Sequence, residues 1–349
     1  DSLADADVEI AANVESITVN VSNQTVAVMQ ADCLLEINDS SNSNTITLDT
    51  QAGNLLGEKI ELEISSLNNT GTLQSNQDMS LAIQNSLSNS GTLLAKTTLD
   101  TTAQTVINSG TFQAKQGAAV TATSLENSGT LIGSDTAGFD ATLNLETLTN
   151  SASGTIQSAQ DLNLHLKTSV DNSGKLLADR DLLVDATDSA STLALTNQST
   201  GVMQASALLT IKGTNDARNV TLDTQAVTLL GDQDQLTLTS LDNTGTVQAE
   251  QDIQLVLASS LNNVSKIIAD TDLKITSGDA STTLNVSNQT DAVMQADGLL
   301  EINDSSNSDN ITLDTQAGTL LAEKIDLKLY SVNNTGTLQS NQDMSLAIQ

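Results

Sequence analysis

Residues 66–83 read Ser-Leu-Asn-Asn-Thr-Gly-Thr-Leu-Gln-Ser-Asn-Gln-Asp-Met-Ser-Leu-Ala-Ile, and this stretch decides the fold. Its pattern predicts a short strand, a tight Asn-x-Gly turn, a second short strand, a polar corner and a third strand. The same turn returns at Asn89, Asn108 and Asn127, after 20, 19 and 19 residues. A repeat of about 20 residues made of three short strands is typical of one coil of a β-solenoid.

Within each coil, apolar and polar residues alternate with the period of a strand that buries one face. The turn is followed by Thr-apolar-x-small, as in residues 72–75, and then by Asp-apolar-x-apolar, as in residues 161–164. The third strand carries its apolar residue just before the next turn, as at Leu125 and Leu241. We therefore predict an all-β fold, a parallel β-helix of about 20–22 residues per coil and roughly 15–16 coils, stacked about 4.8 Å apart.

The repeated turn is the candidate structural site. Asparagines that stack from coil to coil are expected to form a ladder of amide hydrogen bonds, as in other stacked parallel strands. The glycine of each turn is expected to supply a positive φ angle, and the turn is expected to change where Ser265 and Ala292 replace it. The predicted turn ladder consists of Asn69, Gly71, Asn89, Gly91, Asn108, Gly110, Asn127, Gly129, Asn172, Gly174, Asn243, Gly245, Asn334 and Gly336.

Longer repeats set the organisation of the chain. Residues 1–84 align with residues 266–349, and only eleven positions differ between residues 22–84 and 287–349. A second period of 91 residues runs through the later part, and no linker or change of composition separates two domains. We therefore predict a single continuous β-helix shaft over residues 1–349, and we interpret the chain as a window of a longer repeat array.

Composition and charge exclude several classes of function. The chain has no proline or tryptophan, one tyrosine and two phenylalanines, which fits a narrow aliphatic core. Its net charge is −31, with 43 acidic and 12 basic residues, so nucleic acid and anionic lipid should be repelled. No apolar run is long enough for membrane insertion, and the single cysteine, Cys33, excludes an internal disulfide.

The sequence offers few candidates for catalysis. His165 lies between Leu164 and Leu166, so it should point outward, and it has no evident set of catalytic partners. Carboxylate pairs recur at coil corners, and a glycosidase would instead need two carboxylates in one cleft lined by aromatic residues. We therefore predict no enzyme, no catalytic or metal-binding residue and no cofactor, while loose divalent cation binding at corner aspartates stays open. The pairs are Asp5/Asp7, Asp179/Asp181, Asp232/Asp234 and Asp270/Asp272.

The pattern x-x-Leu-x-Asn-x-Gly-Thr-Leu-x-Ala-x-x-Asp-Leu-x-Leu, clearest over residues 66–270, resembles the repeats of filamentous haemagglutinin-like exoproteins. These are surface or secreted proteins of the two-partner secretion route, and similar repeats form the stalks of contact-dependent growth-inhibition toxins. The resemblance implies a right-handed β-helix in an extracellular filament used for adhesion, biofilm formation or delivery.

This resemblance leads to two hypotheses for the function. The first is the structural shaft of an extracellular or cell-surface filament or adhesin. It would self-associate end to end or continue as one very long chain, and its outward side chains would bind carbohydrate or a cell-surface receptor. The alternative is the stalk of a contact-dependent toxin-delivery protein whose active domain lies outside this chain. A carbohydrate-active β-helix enzyme would need one coil with both an acidic cluster that does not repeat and a basic or aromatic groove, and the sequence contains no such coil.

Overall fold

In the computed structural model, residues 2–4, 8–11, 18–24, 26–38, 45–214, 218–225, 228–278, 282–304 and 310–348 are described. The pair Asp5/Asp7 lies outside these residues. Over the described ranges the chain forms 37 β-strands and no α-helix, which confirms the all-β prediction. The residues group into two compact units, 1–164 and 165–349.

The strands of the first unit vary from 3 to 16 residues in length. They are β1 Ser2–Ala4, β2 Val8–Ala11, β3 Thr18–Ser22, β4 Val28–Asn38, β5 Thr45–Asp49, β6 Asn54–Asn69, β7 Thr72–Ser75, β8 Met79–Asn89, β9 Thr92–Ala95, β10 Leu99–Asn108, β11 Thr111–Ala114, β12 Ala118–Asn127, β13 Thr130–Ser134, β14 Ala141–Asn150 and β15 Thr155–Ser158. The next strand, β16 Leu162–Asn172, contains the boundary between the units.

The second unit continues with strands of 3 to 11 residues. They are β17 Lys175–Ala178, β18 Leu182–Ala186, β19 Leu193–Asn197, β20 Val202–Ala205, β21 Leu208–Lys212, β22 Val220–Thr224, β23 Thr228–Gly231, β24 Gln233–Asn243, β25 Thr246–Ala249, β26 Ile253–Asn263, β27 Lys266–Ala269, β28 Leu273–Ser277, β29 Leu284–Asn288, β30 Val293–Ala296, β31 Leu299–Asp304, β32 Ile311–Asp314, β33 Thr319–Ala322, β34 Lys324–Leu329, β35 Ser331–Asn333, β36 Thr337–Ser340 and β37 Met344–Ile348.

Within each unit, every strand pairs in parallel with the corresponding strand of the neighbouring coil. In β7, β9 and β11, Leu73 lies beside Leu93, and Leu93 beside Phe112. This register places each side chain on its repeat equivalent, so columns of like residues run through the stack. The arrangement is a β-solenoid, as the 20-residue repeat predicts.

Each coil has three faces. The first face is the four-residue strand after the Asn turn, such as β7, and the second and third faces follow it along the chain. In strands such as β8 and β10 the second and third faces form one continuous strand, and the register shifts at the bend, between Thr102 and Thr105. Three strands per coil were predicted, and here two of them merge because the corner retains extended backbone.

The interior is almost wholly aliphatic, and Phe112 is its largest fully buried side chain. Strand β12 shows the alternation that the sequence predicts, because Ala118, Val120 and Ala122 are buried while Thr121 is exposed. Complete burial of one leucine or valine contributes about 1.5–3 kcal/mol. Each coil supplies several such residues, and its backbone groups bond to its neighbours, so coils stabilise one another.

Coil length varies around the predicted average of 20–22 residues. Equivalent residues are 18 apart from Thr228 to Thr246 and 27 apart from Lys175 to Val202. The extra residues of the longer coil lie in loops, at 187–192 between β18 and β19 and at 198–201 in the Asn turn. The faces keep their register, since the insertions stay at the corners.

Burial depends on the neighbouring coil. Met79 and Leu81, in a coil with neighbours on both sides, are each 1% exposed. Their repeat equivalents Met344 and Leu346, in β37, are 45% and 47% exposed, and no further coil covers them among the described residues. The burial of these apolar side chains therefore depends on the coil that follows them.

Candidate functional site

The Asn turn, between the third and first faces, is bonded to the turn of the preceding coil. The amides of Ser90 and Gly91 donate to the carbonyl oxygen of Asn69, at 2.9 and 3.1 Å. The amide of Thr92 donates to the carbonyl oxygen of Gly71, at 2.8 Å. Similar bonds recur at Gly110 and Gly129, so consecutive turns repeat one geometry.

In the first unit, buried asparagine side chains form a run of amide hydrogen bonds. Asn69 Nδ2 donates to Asn89 Oδ1 at 2.7 Å, and the bonds onward to Asn108, Asn127 and Asn150 measure 2.8, 2.8 and 2.9 Å. The Nδ2 atoms of the first four asparagines also donate to a backbone carbonyl of the next coil, and the bond from Asn69 to Thr92 O is 3.0 Å. All five asparagines are at most 1% exposed to solvent. The ladder therefore supplies hydrogen bonds to amide groups that would otherwise be costly to bury.

In the second unit the run is interrupted. Asn172 donates to Asn197 at 2.7 Å, but Asn197 Nδ2 is buried without an acceptor among the described residues. The next coil carries Thr224 in place of asparagine, and its hydroxyl donates to Asn243 Oδ1 at 2.5 Å. A new run follows from Asn243 through Asn263 to Asn288, with 2.7 Å for both bonds.

Threonine begins a run in the other two places where it occupies this position. Thr50 Oγ1 donates to Asn69 Oδ1 at 2.9 Å, and Thr315 Oγ1 donates to Asn334 Oδ1 at 2.7 Å. Thr315 Oγ1 also accepts the amide of Gly336 at 3.0 Å. The predicted Asn334 is exposed, whereas Thr50 and Thr315 are buried.

The sequence reading missed four asparagines of these runs. Asn150 and Asn197 precede longer turns, 151–154 and 198–201, that hide the Asn-x-Gly spacing. Asn263 and Asn288 precede turns that lack the glycine. The signal that identifies all four is the apolar residue two positions earlier on the third face, such as Leu148 before Asn150, and not the glycine.

The expected positive φ angle of the turn glycines is wrong. Among the described residues, the glycines with positive φ are Gly117 and Gly138, and neither lies in an Asn turn. The turn glycines are instead required by close stacking. A Cβ atom at Gly110 would lie 2.7 Å from the carbonyl carbon of Ser90 and nearer still to the oxygen of Gly91.

The two glycine replacements differ. Before Ala292, Asp291 has a φ of 64° and the amide of Ala292 donates to Gln289 O at 3.0 Å, so this turn does change as expected. Near Ser265, the amide of Val264 still donates to Asn243 O at 2.8 Å and the turn keeps its short length. At this position the chain therefore accommodates a Cβ atom within the ordinary turn.

The aspartates of the first-to-second-face corner bond to the next coil. Asp272 Oδ1 accepts the amide of Leu299 at 2.7 Å, and Asp181 Oδ1 accepts that of Leu208 at 3.1 Å. Asp78 accepts the hydroxyls of Thr97 and Thr98, and these two hydrogen bonds lower the pKa of Asp78. This geometry accounts for the repeated corner carboxylates without catalysis.

Asp234 departs from that pattern. It was grouped with Asp232 as a corner carboxylate, but its side chain is 1% exposed and points into the aliphatic interior. Neither carboxyl oxygen has a hydrogen-bond partner within the described part of the chain. Burial raises the pKa of Asp234 well above its usual value.

His165 has a hydrogen-bond partner in the structure, although the sequence showed no set of catalytic partners for it. It is half-buried on the outer side of β16, between buried Leu164 and Leu166, as predicted. Its Nδ1 lies 2.6 Å from Asp185 Oδ1 in the next coil, and this hydrogen bond raises the pKa of His165. The two residues are 20 positions apart, so the pair becomes visible once the coil length is applied.

Neither a metal centre nor a spanning helix is found in the described ranges. No three His, Cys, Asp or Glu side chains within them come together to hold a metal ion. These ranges also contain no helix that is long and apolar enough to cross a bilayer. Cys33 is exposed, with its sulfur unpaired, at a position where the copy has Gly298.

Comparison with known proteins finds one family. The family model described as Haemagglutinin repeat matches residues 10–142, 136–200 and 190–293. No curated protein and no solved structure matches the chain.

Proposed function

Because the chain belongs to the haemagglutinin repeat family, we propose that it is a non-catalytic structural shaft of an extracellular filament or surface adhesin. The observation that supports this most is the in-register stacking of like residues from coil to coil, as in the column Leu73, Leu93 and Phe112. A stack of equivalent coils repeats one surface many times. This suits a shaft better than a single reaction site.

The proposed mechanism is mechanical. Within each unit, parallel backbone ladders join each coil to the next on three faces, and the buried asparagine runs add side-chain bonds between the same coils. Pulling the coils apart would break these bonds together and expose aliphatic surface. The net charge of −31 would keep neighbouring shafts apart in solution.

Ligand binding, in this proposal, uses outward columns of polar side chains. In the first unit, Thr72, Thr92, Thr111, Thr130 and Thr155 lie next to one another on the first face, one per coil. Such a column presents hydroxyl groups at the coil spacing of about 4.8 Å. Carbohydrate hydroxyls or a polar cell-surface receptor would match this surface chemically.

Growth of the filament would occur at the edge of the stack. An open strand edge pairs readily with another strand. The partner would be a further coil of a longer chain, or a second copy added end to end, and the same shaft would serve as the stalk of a toxin-delivery protein.

Electron microscopy of the native parent protein on and around its cells tests the proposal. A single-chain shaft should have a contour length of about 0.2 Å per residue, from a coil spacing of about 4.8 Å. Filaments much longer than the chain can supply would support end-to-end assembly. Compact particles, or a protein confined to the cytoplasm, would refute the filament.

A further inference from the structure

One coil carries a polar side chain at a position that is otherwise aliphatic. Asp234 of β24 lies in register with Leu209 of β21 on one side and with Ile253 of β26 on the other. The equivalent positions of the repeat are occupied by Ile60 and Ile325, which are buried. The repeat therefore predicts isoleucine where this coil has a carboxylic acid.

The neighbouring backbone leaves room for this side chain, at a position where the other copies have Gly57 beside Ile60 or Ala322 beside Ile325. Gly231 ends β23 at an inward position, and its partner in the next coil, Ala249, carries a methyl group. A Cβ atom at Gly231 would collide with Asp234 Oδ1. The missing methyl group thus provides the space that the carboxyl group occupies.

Among the described residues, no charged group forms a hydrogen bond with this carboxyl group. The side chains or backbone that face it are Leu209 from β21, Ile253 from β26 and Gly231 from β23, and none of these titrates. β23 and β26 contain no charged residue, the cation of β21 is Lys212 at its far end, and β24 itself adds only outward Asp242. The charged residues of the adjoining corner are all acidic: Asp232, Glu250 and Asp252.

From this geometry we propose that Gly231 and Asp234 form a proton-dependent closure of the coil 228–243. The coil is held shut while the Asp234 carboxyl group carries its proton, and it opens locally when that proton is lost. Ionisation would place an unpaired charge in an aliphatic interior, and that is far more costly than opening the strand to water. The inference concerns the coil itself and is independent of the proposed extracellular role.

The pH dependence has a definite sign. Burial raises the pKa of Asp234 in the folded coil above the value of about 4 that it has in the unfolded chain. Between these two values the folded coil binds more protons than the open one, so the free energy of opening decreases as the pH rises. The closure is complete below pH ~4 and weakens as the pH rises towards the folded pKa.

Hydrogen exchange of the full chain, followed by mass spectrometry, tests the proposal. Protection of peptides covering β24 is compared from pH 4.5 to 8.5 in the wild type, in Asp234→Asn, which cannot ionise, and in Asp234→Ile, which restores the repeat residue. Peptides covering β12 in the first unit correct for the pH dependence of exchange itself. We expect wild-type protection of β24, relative to Asp234→Ile, to fall on the order of tenfold per pH unit over part of this range.

Equal pH dependence of β24 protection in the wild type and in both variants would overturn the proposal. A second measurement does not depend on the variants. The 13C shift of the Asp234 carboxyl carbon, assigned by its loss in Asp234→Asn, should be that of a protonated acid at pH 4.5, where an exposed aspartate is mostly ionised. An ionised carboxyl group at pH 4.5 in an otherwise protected strand would also overturn it.

The role of the glycine is tested separately. Gly231→Ala should weaken β24 protection at pH 4.5 in the wild type, because the added methyl group collides with the carboxyl group. In the Asp234→Ile background the same change should have a smaller effect, since Ala322 and Ile325 occur together in the repeat. Equal effects in both backgrounds would show that the two residues are not coupled.

Discussion

At the scale of single residues, the Asn turn shows why a particular side chain recurs. A primary amide both donates and accepts, so one asparagine can bond to its copy on each side of the stack. Asn108 uses both functions, because its Oδ1 accepts from Asn89 and its Nδ2 donates to Asn127, each at 2.8 Å. A hydroxyl can also donate and accept, but that of Thr224 bonds to Asn243 Oδ1 and does not come within hydrogen-bond distance of Asn197 Nδ2. Asn197 Nδ2 is therefore left without an acceptor among the described residues.

Replacing Asn108 by alanine tests the ladder. The change removes both bonds and leaves Asn89 Nδ2 and Asn127 Oδ1 buried without their amide partners, so we expect a loss of roughly 2–4 kcal/mol in the free energy of local opening. Hydrogen exchange of β10 and β12 measures this loss. Asn144→Ala, at an exposed position of β14, is the matched control and should change little. Equal losses in both variants would contradict a structural role for the buried amides.

Gly110→Ala tests the close stacking of the turns. The added Cβ atom has no room beside Ser90 and Gly91, so we expect a loss of about 1–3 kcal/mol. A thermal unfolding scan, with Ser109→Ala in the same turn as control, measures it. Because Ser265 accommodates a Cβ atom in a comparable turn, the variant should still fold. A midpoint as high as that of the control would mean that the turn relaxes without cost.

At the scale of strands, the His165–Asp185 pair joins β16 to β18 on their outer side. The side chains are 29% and 21% exposed, so the pair is shielded more than a typical surface ion pair. The equivalent of His165 one long repeat later is Val256, which means that the pair is a local feature of this coil. It adds a side-chain bond between neighbouring strands that already share backbone bonds.

The pair should make the stability of β16 depend on pH. The folded pKa of His165 is raised by Asp185, so its contribution is fully present below the unfolded value of about 6.5. This contribution is lost as the pH rises through the folded pKa. Protection of β16, measured at pH 5.5 and 8.5, should therefore fall more in the wild type than in His165→Val. Asp185→Asn should lower the pKa of His165 in an NMR titration, and an unchanged titration would exclude the pair as its cause.

Much of the fold follows from the sequence, for a physical reason. Period-two alternation and the recurrence near 20 residues together specify which side chains are buried, as at Leu73 and Leu125. What happens at corners depends on backbone conformation, so the merged strands such as β8 and the 18-residue coil from Thr228 to Thr246 were not predicted. The 27-residue coil follows from the spacing of the turns in the sequence, with its extra residues near 187–190.

The candidate site was predicted less completely. Side chains that recur are visible in one sequence, and the asparagines next to a short turn were found on that basis. Asp234 was misplaced because local spacing assigned it to a corner, whereas its burial depends on alignment with Leu209 and Ile253 in other coils. The glycine error has the same origin, since the reason for Gly110 lies in the preceding coil.

At the scale of the whole molecule, electrostatic repulsion is the dominant long-range effect. A net charge of −31 opposes contact between two copies at neutral pH and low salt. Salt shortens the range of this repulsion, to about 8 Å at physiological ionic strength. Protonation of surface carboxylates, whose ordinary pKa values are near 4, removes it.

Side-by-side association should therefore increase with acid and with salt. At pH 7 and low salt we expect the smallest species in a sedimentation velocity experiment, and larger species as the pH falls towards about 4. Adding roughly 1 M sodium chloride at pH 7 should reproduce part of the effect by screening. A size distribution that does not respond to either condition would show that charge does not control association.

The asparagine run also gives the stack a direction. From Asn69 to Asn150, every Nδ2 donor faces the later coil and every Oδ1 acceptor faces the earlier one. The two ends of such a run are chemically different, because one end presents an amide donor and the other presents a carbonyl acceptor. Two copies related by a twofold axis would bring donor against donor, whereas head-to-tail addition brings donor to acceptor. A fibre assembled through this turn would therefore be polar, with one end that extends by offering donors and another that extends by offering acceptors.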